Sequence, residues 1–567
     1  MVSLENVRWE KFLLALWLVI NLGIGALTVH QYGISVDEPN NHIYADETLN
    51  AYQSFFGTLY EPKFDPSDDG HGPAFVTIAV ILIRSIQGIF PNAFEPDLWH
   101  FIYFITFQLT GLCLYWLAKR WFDKWTTWGI LILFTTQPLL WGHAFINPKD
   151  IPFMFFFTIS IVSGLRLVDS IDSKESFVSL KRLIKSISDK FQEKKPTQEQ
   201  VQVYELRETV ISVDSPKIWF GAFFCALRDP NIILAGVTLG LATAVRSIAP
   251  LAGVIVVLYL FLKAGSKAWA TAIAYFLITG ISTYLTWPYL WQAPIANFFN
   301  SLNTSSRFPY RGSVLFTGNI FPTDQLPRRF FPTLLSLQLT EPALILISIG
   351  FVVSVYLLIK GKKLEPILLF AMWFMPLAFW IIFSRSALYD NARQLLFLWP
   401  SLFILAGMGI DQIMTAIKLP AWRVIFIIAM AFPGIYASIG LHPYQYIYYN
   451  SFIGGVQGAY RNFELDYWTT SFRESMEYLN QNAEQGAIIM VIGPSRQTAR
   501  QYARPDLTVI ALKRVTKSET QPYYILSSTR SNDDISHCKN AEVVYSVERD
   551  GGILSYVKKI DPAQNCK

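Results

Sequence analysis

Apolar residues along this chain come in runs rather than in alternation, and most runs are roughly 17 to 22 residues long, the length that carries a helix across a bilayer. Eleven stand near 11–29, 99–118, 126–142, 151–168, 231–247, 250–263, 268–286, 339–359, 364–383, 394–413 and 422–440. A further run, "AFVTIAVILIRSIQGIF" at 74–90, holds Arg84 in its middle. An arginine at the bilayer centre costs a few kcal/mol, so an interfacial or re-entrant helix is expected there instead of a crossing. The pattern predicts an all-α polytopic membrane protein of about eleven spans. The first span has no small-residue cleavage site behind it and reads as a retained signal anchor.

Polar positions set the expected topology. Lys119, Arg120 and Lys124, the stretch 171–228, Lys263 and Lys267, "KGKK" at 360–363 and Lys418 to Arg423 all fall on one side if the N-terminus is cytoplasmic and 74–90 does not cross. The C-terminus is then extracytoplasmic. The insertion 169–230 contains "FVSLKRLIKSISDKF" (177–191), whose Phe177, Leu180, Leu183, Ile184, Ile187 and Phe191 make one stripe with basic residues elsewhere, the pattern of a helix on an anionic leaflet. Past about 465 the pattern becomes that of a soluble domain: "SFRESMEYLNQNA" reads as a helix, "AIIMVIG" and "YYILSS" as buried strands, and "AEVVYSVERDGGILSYVKKI" as a hairpin turning at Asp550-Gly551-Gly552. This divides the chain into a transmembrane module, 1–450, with outer loops 30–98 and 287–338, and a small extracytoplasmic α/β domain, 451–567.

Composition changes little. The chain is 52% hydrophobic and 15% aromatic, with mean hydropathy +0.31, which excludes an ordinary soluble enzyme. Its net charge of +5 lies in short loops and so reports topology, with no basic domain for nucleic acid. Four cysteines are too few for a disulfide scaffold; Cys538 and Cys566 fall in the outer domain, where a disulfide is allowed.

The unusual polar residues gather on the expected outer face. "GISVDEPNNH" (33–42) places Asp37 and Glu38 where the first span ends, and the loop returns through "DDGHGPAF", with His71 before Gly72 and Pro73. A carboxylate there is either a solvated cap or a base beside a membrane-level cavity. "GHAFINPKD" (142–150) offers His143, Lys149 and Asp150, as ordinary turn residues or as a second acidic group with a phosphate contact. Arg246, Arg307, Arg311 and Arg393 are candidate phosphate cations at membrane depth; for Arg393 the plain alternative is an ion pair with Asp390, and for Arg246 it is snorkelling to the surface. Trp287 and Tyr289 in "WPYLW", with Tyr310, suit an interfacial belt or a sugar platform. "HPYQYIYYN" and "GGVQGAYRNFELDYW" suggest no mechanism.

From these residues, "SVDEP" with the membrane-lying helix behind it, the acidic turn after the third span and the long outer loop after the seventh, residues 8 to 450 resemble the glycosyltransferase-C superfamily. The resemblance is nearest to the protein O-mannosyltransferase and lipid A aminoarabinose transferase branch. It implies a membrane enzyme that takes a sugar from a polyprenyl-phosphate donor and passes it with inversion to an acceptor hydroxyl on a glycan, lipid or protein. Asp37 would then be the general base, with Glu38 its neighbour and Asp150 facing it. Arg393, Lys149, Arg246 and His71 would meet the donor phosphate. His143, Trp287, Tyr289 and Tyr310 would meet acceptor or sugar, His143 alternatively a phosphate. Related oligosaccharyltransferases hold a divalent metal between such carboxylates; no metal or other cofactor is assigned here. A bacterial plasma (inner) membrane is the expected location. A non-enzymatic carrier or lipid transporter and a degenerate transferase-like scaffold are the alternatives. A transporter would favour repeated halves with midplane ionisable residues, and no internal repeat is visible.

Overall fold

A computed structural model describes residues 4–56, 71–171, 223–306, 312–384, 387–493, 495–512, 523–536 and 541–560. The amphipathic helix expected at 177–191, Arg307, Tyr310, Arg311, Cys538 and Cys566 lie outside the described residues.

Every one of the eleven apolar runs is helical. They form α1 (Leu4–Thr28), α4 (Glu95–Lys119), α5 (Lys124–Thr135) with α6 (Pro138–Ile146), α7 (Asp150–Ser170), α8 (Pro230–Thr243), α9 (Pro250–Ala264), α10 (Ala268–Thr286), α13 (Glu341–Ile359), α14 (Leu364–Ser384), α15 (Trp399–Ala416) and α16 (Pro420–Gly440). Between them lie α2 (Glu38–Phe56), α3 (Ala74–Ile89), α11 (Pro294–Ser306) and α12 (Phe330–Gln338). Among the described residues, eight helices are long and apolar enough to cross a membrane, or nine if α5 and α6, bent by 59°, make one broken span. The chain is a multi-pass membrane protein. Apolar side chains stay exposed on the outward faces of α1, α13 and α16, among them Val19, Leu27, Val352, Phe432 and Ile439, as a lipid solvent permits.

Two runs differ from a simple crossing. Helices α8 and α9 have 14 and 15 residues, only about 21 and 23 Å long at 1.5 Å per residue. They nevertheless traverse the same layer as α7. Arg246, in the segment joining α8 to α9, meets Asp150 at the start of α7, while Lys263 near the end of α9 donates to the carbonyls of Val168 and Asp169 at its far end. The shortfall is made up by unwound chain at 244–249. Helix α3 lies against α2, its exposed Arg84 paired with Asp46 of α2 at 2.6 Å; the arginine that argued against a crossing finds its partner on the neighbouring helix.

Helix α13 crosses α15 at backbone contact: a Cβ on Gly350 would fall 2.0 Å from the Leu405 carbonyl oxygen, and one on Gly409 2.7 Å from that of Leu346. Where no solvent drives apolar faces together, such small residues supply the packing.

Beyond α16, residues 444–450 and 463–472 are almost all buried, a belt between the helices and the C-terminal sheet. The same core takes in Val547 and Leu554 of that sheet. Strands β1 (Ser313–Phe316) and β2 (Asn319–Pro322) form a hairpin in the loop before α12. The C-terminal sheet comprises β3 (Ile488–Val491), β4 (Thr508–Ala511), β5 (Tyr523–Ser528), β6 (Glu542–Arg549) and β7 (Gly552–Ile560), in the order β4-β3-β5-β7-β6. Strand β3 runs parallel to both β4 and β5, and β7 antiparallel to β5 and β6. The expected helix is present at Phe472–Asn482. The β6–β7 hairpin turns at Asp550 and Gly551, φ 48° and 72°, the two left-handed residues that a tight primed turn requires.

Replacing Gly350 with valine is expected to push α13 off α15 and cost about 1–3 kcal/mol, read as a fall in the thermal midpoint in detergent. Gly280→Ala, where nothing lies within 4 Å of the added Cβ, serves as the comparison and is expected to leave the midpoint unchanged or raise it.

Candidate active site

Four chain segments lose their helical form at one end of the bundle and bring their polar residues together. Helix α1 gives way to residues 32–37, α6 meets α7 at Asn147-Pro148-Lys149, α8 unwinds into 244–249, and α15 is preceded by a 3₁₀ stretch, Asp390–Leu398. Asp390, Asn391 and Ala392 are all left-handed there, φ 49°, 55° and 59°, a strained turn of the kind found where a site constrains the backbone. Gly72 allows the return loop to close over this end, because a Cβ there would meet the Ala244 carbonyl oxygen at 2.1 Å. His71 and Arg246 accordingly pair as an isolated antiparallel bridge.

At the centre is Arg393, 5% exposed. Its Nη1 donates to Asp150 Oδ2 at 2.7 Å, its Nη2 to Asp37 Oδ2 at 2.9 Å and its Nε to Asp390 Oδ2 at 3.1 Å. Its guanidinium carbon lies 4.3 Å from the centre of the Trp468 ring. The ion pair with Asp390 and the link to Asp37 and Asp150 therefore exist together. Arg246 points inward: Nη1 donates to Asp150 Oδ1 at 2.6 Å and to the Gln394 carbonyl at 3.3 Å, and Nη2 lies 3.4 Å from His71 Nε2. Arg530, from the turn after β5, donates to Asp390 Oδ1 at 2.7 Å.

Asp150 is placed by Asn147. The Asn147 Oδ1 accepts from the backbone N–H groups of Lys149 at 3.1 Å and Asp150 at 2.8 Å, while its amide nitrogen donates to Asp150 Oδ2 at 3.1 Å and lies 3.1 Å from His143 Nδ1. That contact puts the His143 proton on Nε2, 2.9 Å from the Tyr467 hydroxyl. His143 is thus buried, with both ring nitrogens occupied by protein.

Glu38 does not face Arg393. It is fully buried, accepting from Ser35 N–H at 2.6 Å and lying 2.8 Å from His100 Nε2. Ser35 and Glu38 thereby make half of a capping box at the start of α2, an S-x-x-E spacing legible in "SVDE". Trp287 is fully buried in the bundle core and Tyr289 lies beside it, ring centres 6.3 Å apart.

A small cleft of about 20 Å³, room for little more than a water molecule, opens one turn along α2 from Asp37. Asn41, Tyr44, His71 and Lys149 form its polar side, Phe75 and Val76 of α3 its apolar side. Enclosure of the His71 ring, with Lys149 and Arg246 beside it, holds its pKa well below the usual histidine range, so the imidazole is neutral. Among the described residues the Lys149 ammonium makes no hydrogen bond or ion pair. Asp37, Asp150 and Asp390 balance Arg246, Arg393 and Arg530 among the described residues, and Lys149 is a positive charge beyond that balance. No group of three His, Cys, Asp or Glu residues suited to a metal comes together among the described residues, and Arg393 itself spans Asp37 and Asp150.

The sequence reading did not find Arg530, Glu464, Tyr467 or Trp468. The last three lie in "FELDYW", whose acidic and aromatic residues in an otherwise apolar belt were the available signal; Arg530, in a soluble domain, carried none.

No protein-family model and no curated protein sequence matches the chain. Among solved structures it is similar to others. One is ArnT from Cupriavidus metallidurans in the apo state, at 11% identity over 98% of each chain with a TM-score of 0.47. The same protein bound to undecaprenyl phosphate is similar at 11% identity over 98% of this chain and 99% of that one, TM-score 0.46. The archaeal oligosaccharyltransferase AglB from Archaeoglobus fulgidus, in complex with an inhibitory peptide and a dolichol-phosphate, is similar at 13% identity over 92% of this chain and 70% of that one, TM-score 0.46.

Glu464 generates a pH prediction. It is fully buried, Oε1 accepting from Leu315 N–H at 3.4 Å and Ser531 Oγ at 3.1 Å, and among the described residues its Oε2 has no partner. Burial pushes its carboxyl up from 4.5 to about 7. The folded state then holds a proton that the unfolded chain has released, so stability is full below about pH 4.5 and falls as pH rises through 7, by on the order of 3 kcal/mol. Glu464→Gln is expected to flatten that dependence: its thermal midpoint should exceed the parent's at pH 8 by more than it does at pH 5.

Proposed function

We propose that this protein is an integral membrane glycosyltransferase that moves a sugar from a polyprenyl-phosphate donor to an acceptor hydroxyl on the extracytoplasmic face, with the N-terminus cytoplasmic and the C-terminal domain outside. The observation that carries the reading is Asp37, a carboxylate at the end of the first membrane helix, aimed by Arg393 and set one helical turn from a small cleft with an apolar wall and, among the described residues, an ammonium that has no partner. Such a cleft suits a ligand that is anionic at one end and lipidic at the other.

Asp37 is the general base. As the acceptor oxygen forms its bond to the anomeric carbon, the hydroxyl proton passes to Asp37 and the bond from that carbon to the phosphate oxygen breaks, inverting the centre. The electron pair leaves with the polyprenyl phosphate, whose charge Lys149 meets, with Arg246 behind it. His71, held neutral, contributes a hydrogen-bond donor rather than a charge. Asp150 does not touch the acceptor in this scheme; its place is to hold Arg393 and Arg246 in position. Glu38 anchors α2 and so fixes where Asp37 emerges.

Purified protein in lipid is assayed with a panel of polyprenyl-phosphate sugars and a membrane extract as acceptor source. Asp37→Asn is expected to lower transfer at least ~10²-fold while leaving the thermal midpoint and donor binding nearly unchanged; transfer retained in that variant overturns the assignment. Lys149→Gln is expected to raise the donor KM about tenfold, the scale of one lost charge-assisted hydrogen bond, with a smaller change in kcat. A change in kcat alone would remove Lys149 from donor binding.

A further inference from the structure

We infer that Arg530, delivered by the C-terminal domain, is a positioning residue for the site: by neutralising Asp390 it keeps the terminal nitrogens of Arg393 on Asp37 and Asp150. The inference rests on the transferase reading for its kinetic consequence and on geometry for its mechanism.

Arg393 has three carboxylates around it. Asp390 is three residues away on the same 3₁₀ stretch and could take the whole guanidinium if its charge were otherwise unmet. It holds only Nε, because its second oxygen is taken by Arg530 Nη2 at 2.7 Å. Nη1 and Nη2 of Arg393 are thereby left for Asp150 and Asp37. Removing one member of a buried ion network leaves an uncompensated charge, and the remaining cation moves to meet it. Arg530 also donates through Nη1 to the Tyr467 carbonyl at 3.2 Å, and the Tyr467 hydroxyl leads through His143 and Asn147 to Asp150. One arginine thus braces both approaches to the carboxylate pair.

The turn that carries Arg530 is built to hold it still. Ser531 and Asn532 are left-handed, φ 50° and 59°. Arg461 grips the segment with donations to Asn532 Oδ1 at 2.8 Å and to both oxygens of Asp534 at 2.7 and 2.6 Å. Lys558 Nζ donates to the Asp534 carbonyl at 2.6 Å, and Thr529 Oγ1 to that of Ile553 at 2.9 Å. A surface turn needs none of this; a strained turn that must present one guanidinium at a fixed place needs it. It meets a second strained turn, Asp390 to Ala392, head on.

Full-length protein in lipid is compared as parent, Arg530→Gln, Asp390→Asn, the double variant and Arg530→Lys. Arg530→Gln is expected to lower kcat ~10- to 100-fold, the loss that misplacement of a catalytic group by about 1 Å produces, with the donor KM within about twofold. Asp390→Asn added to Arg530→Gln removes the charge that pulls Arg393 away, so the double variant is expected to recover most of the lost kcat. Arg530→Lys, which keeps the charge, is expected to stay closer to the parent than Arg530→Gln does. A double variant no faster than Arg530→Gln, or a loss confined to KM, overturns the inference. Thermal unfolding of the same set reads the coupling without catalysis: Arg530→Gln should lower the midpoint more in the parent than in Asp390→Asn, and equal losses overturn the inference. A parent inactive with every donor would sink the transferase reading while leaving that unfolding comparison to decide the Arg530 link.

Discussion

One guanidinium among three carboxylates organises this protein. Arg393 is buried at the end of a membrane bundle, where an unpaired charge would be costly, and the chain meets that cost by bringing Asp37 and Asp150 from two other segments to join Asp390 of its own stretch around it. Replacing such a network with apolar side chains of equal volume would serve stability as well or better.

The same constraint accounts for the unwound helix ends. A regular helix satisfies its own backbone groups and points its side chains sideways; it cannot bring Asp37, Lys149, Arg246 and Arg393 to one point. Chain at 32–37, 147–149, 244–249 and 389–398 leaves regular α-helical form there, which is tolerable at membrane depth where the backbone is buried in protein or lines a cavity. Much of that cover comes from the buried belt after α16 and from the C-terminal sheet, which reaches the site through Tyr467, Trp468 and Arg530. The soluble-looking domain is thus part of the floor and wall of the site, and a boundary drawn at 450 cuts through tightly packed chain.

Charge balance gives the cleft its character. Among the described residues three aspartates and three arginines cancel, His71 is neutral, and Lys149 is a positive group without an ion-pair partner, facing an apolar wall from α3.

The apolar runs by themselves determined the membrane architecture, because run length and bilayer thickness are both one-dimensional quantities. All eleven expected segments form helices, and Arg84 of α3 pairs with Asp46 of α2. Strand and turn chemistry likewise made the Asp550-Gly551 hairpin legible, and "SVDE" carried its own cap. The sequence also singled out Asp37, Asp150, Arg246 and Arg393 as residues in want of a reason, since charge beside an apolar run is conspicuous in one dimension. Only the tertiary structure decided who meets whom: that Glu38 turns away to His100, that Trp287 is core, that His143 is occupied by Asn147 and Tyr467, and that Arg530, 140 residues from Asp390, completes the network. Partners brought together by the packing of whole segments have no local signature, because an ion pair depends on distance in space while composition and periodicity record only distance along the chain.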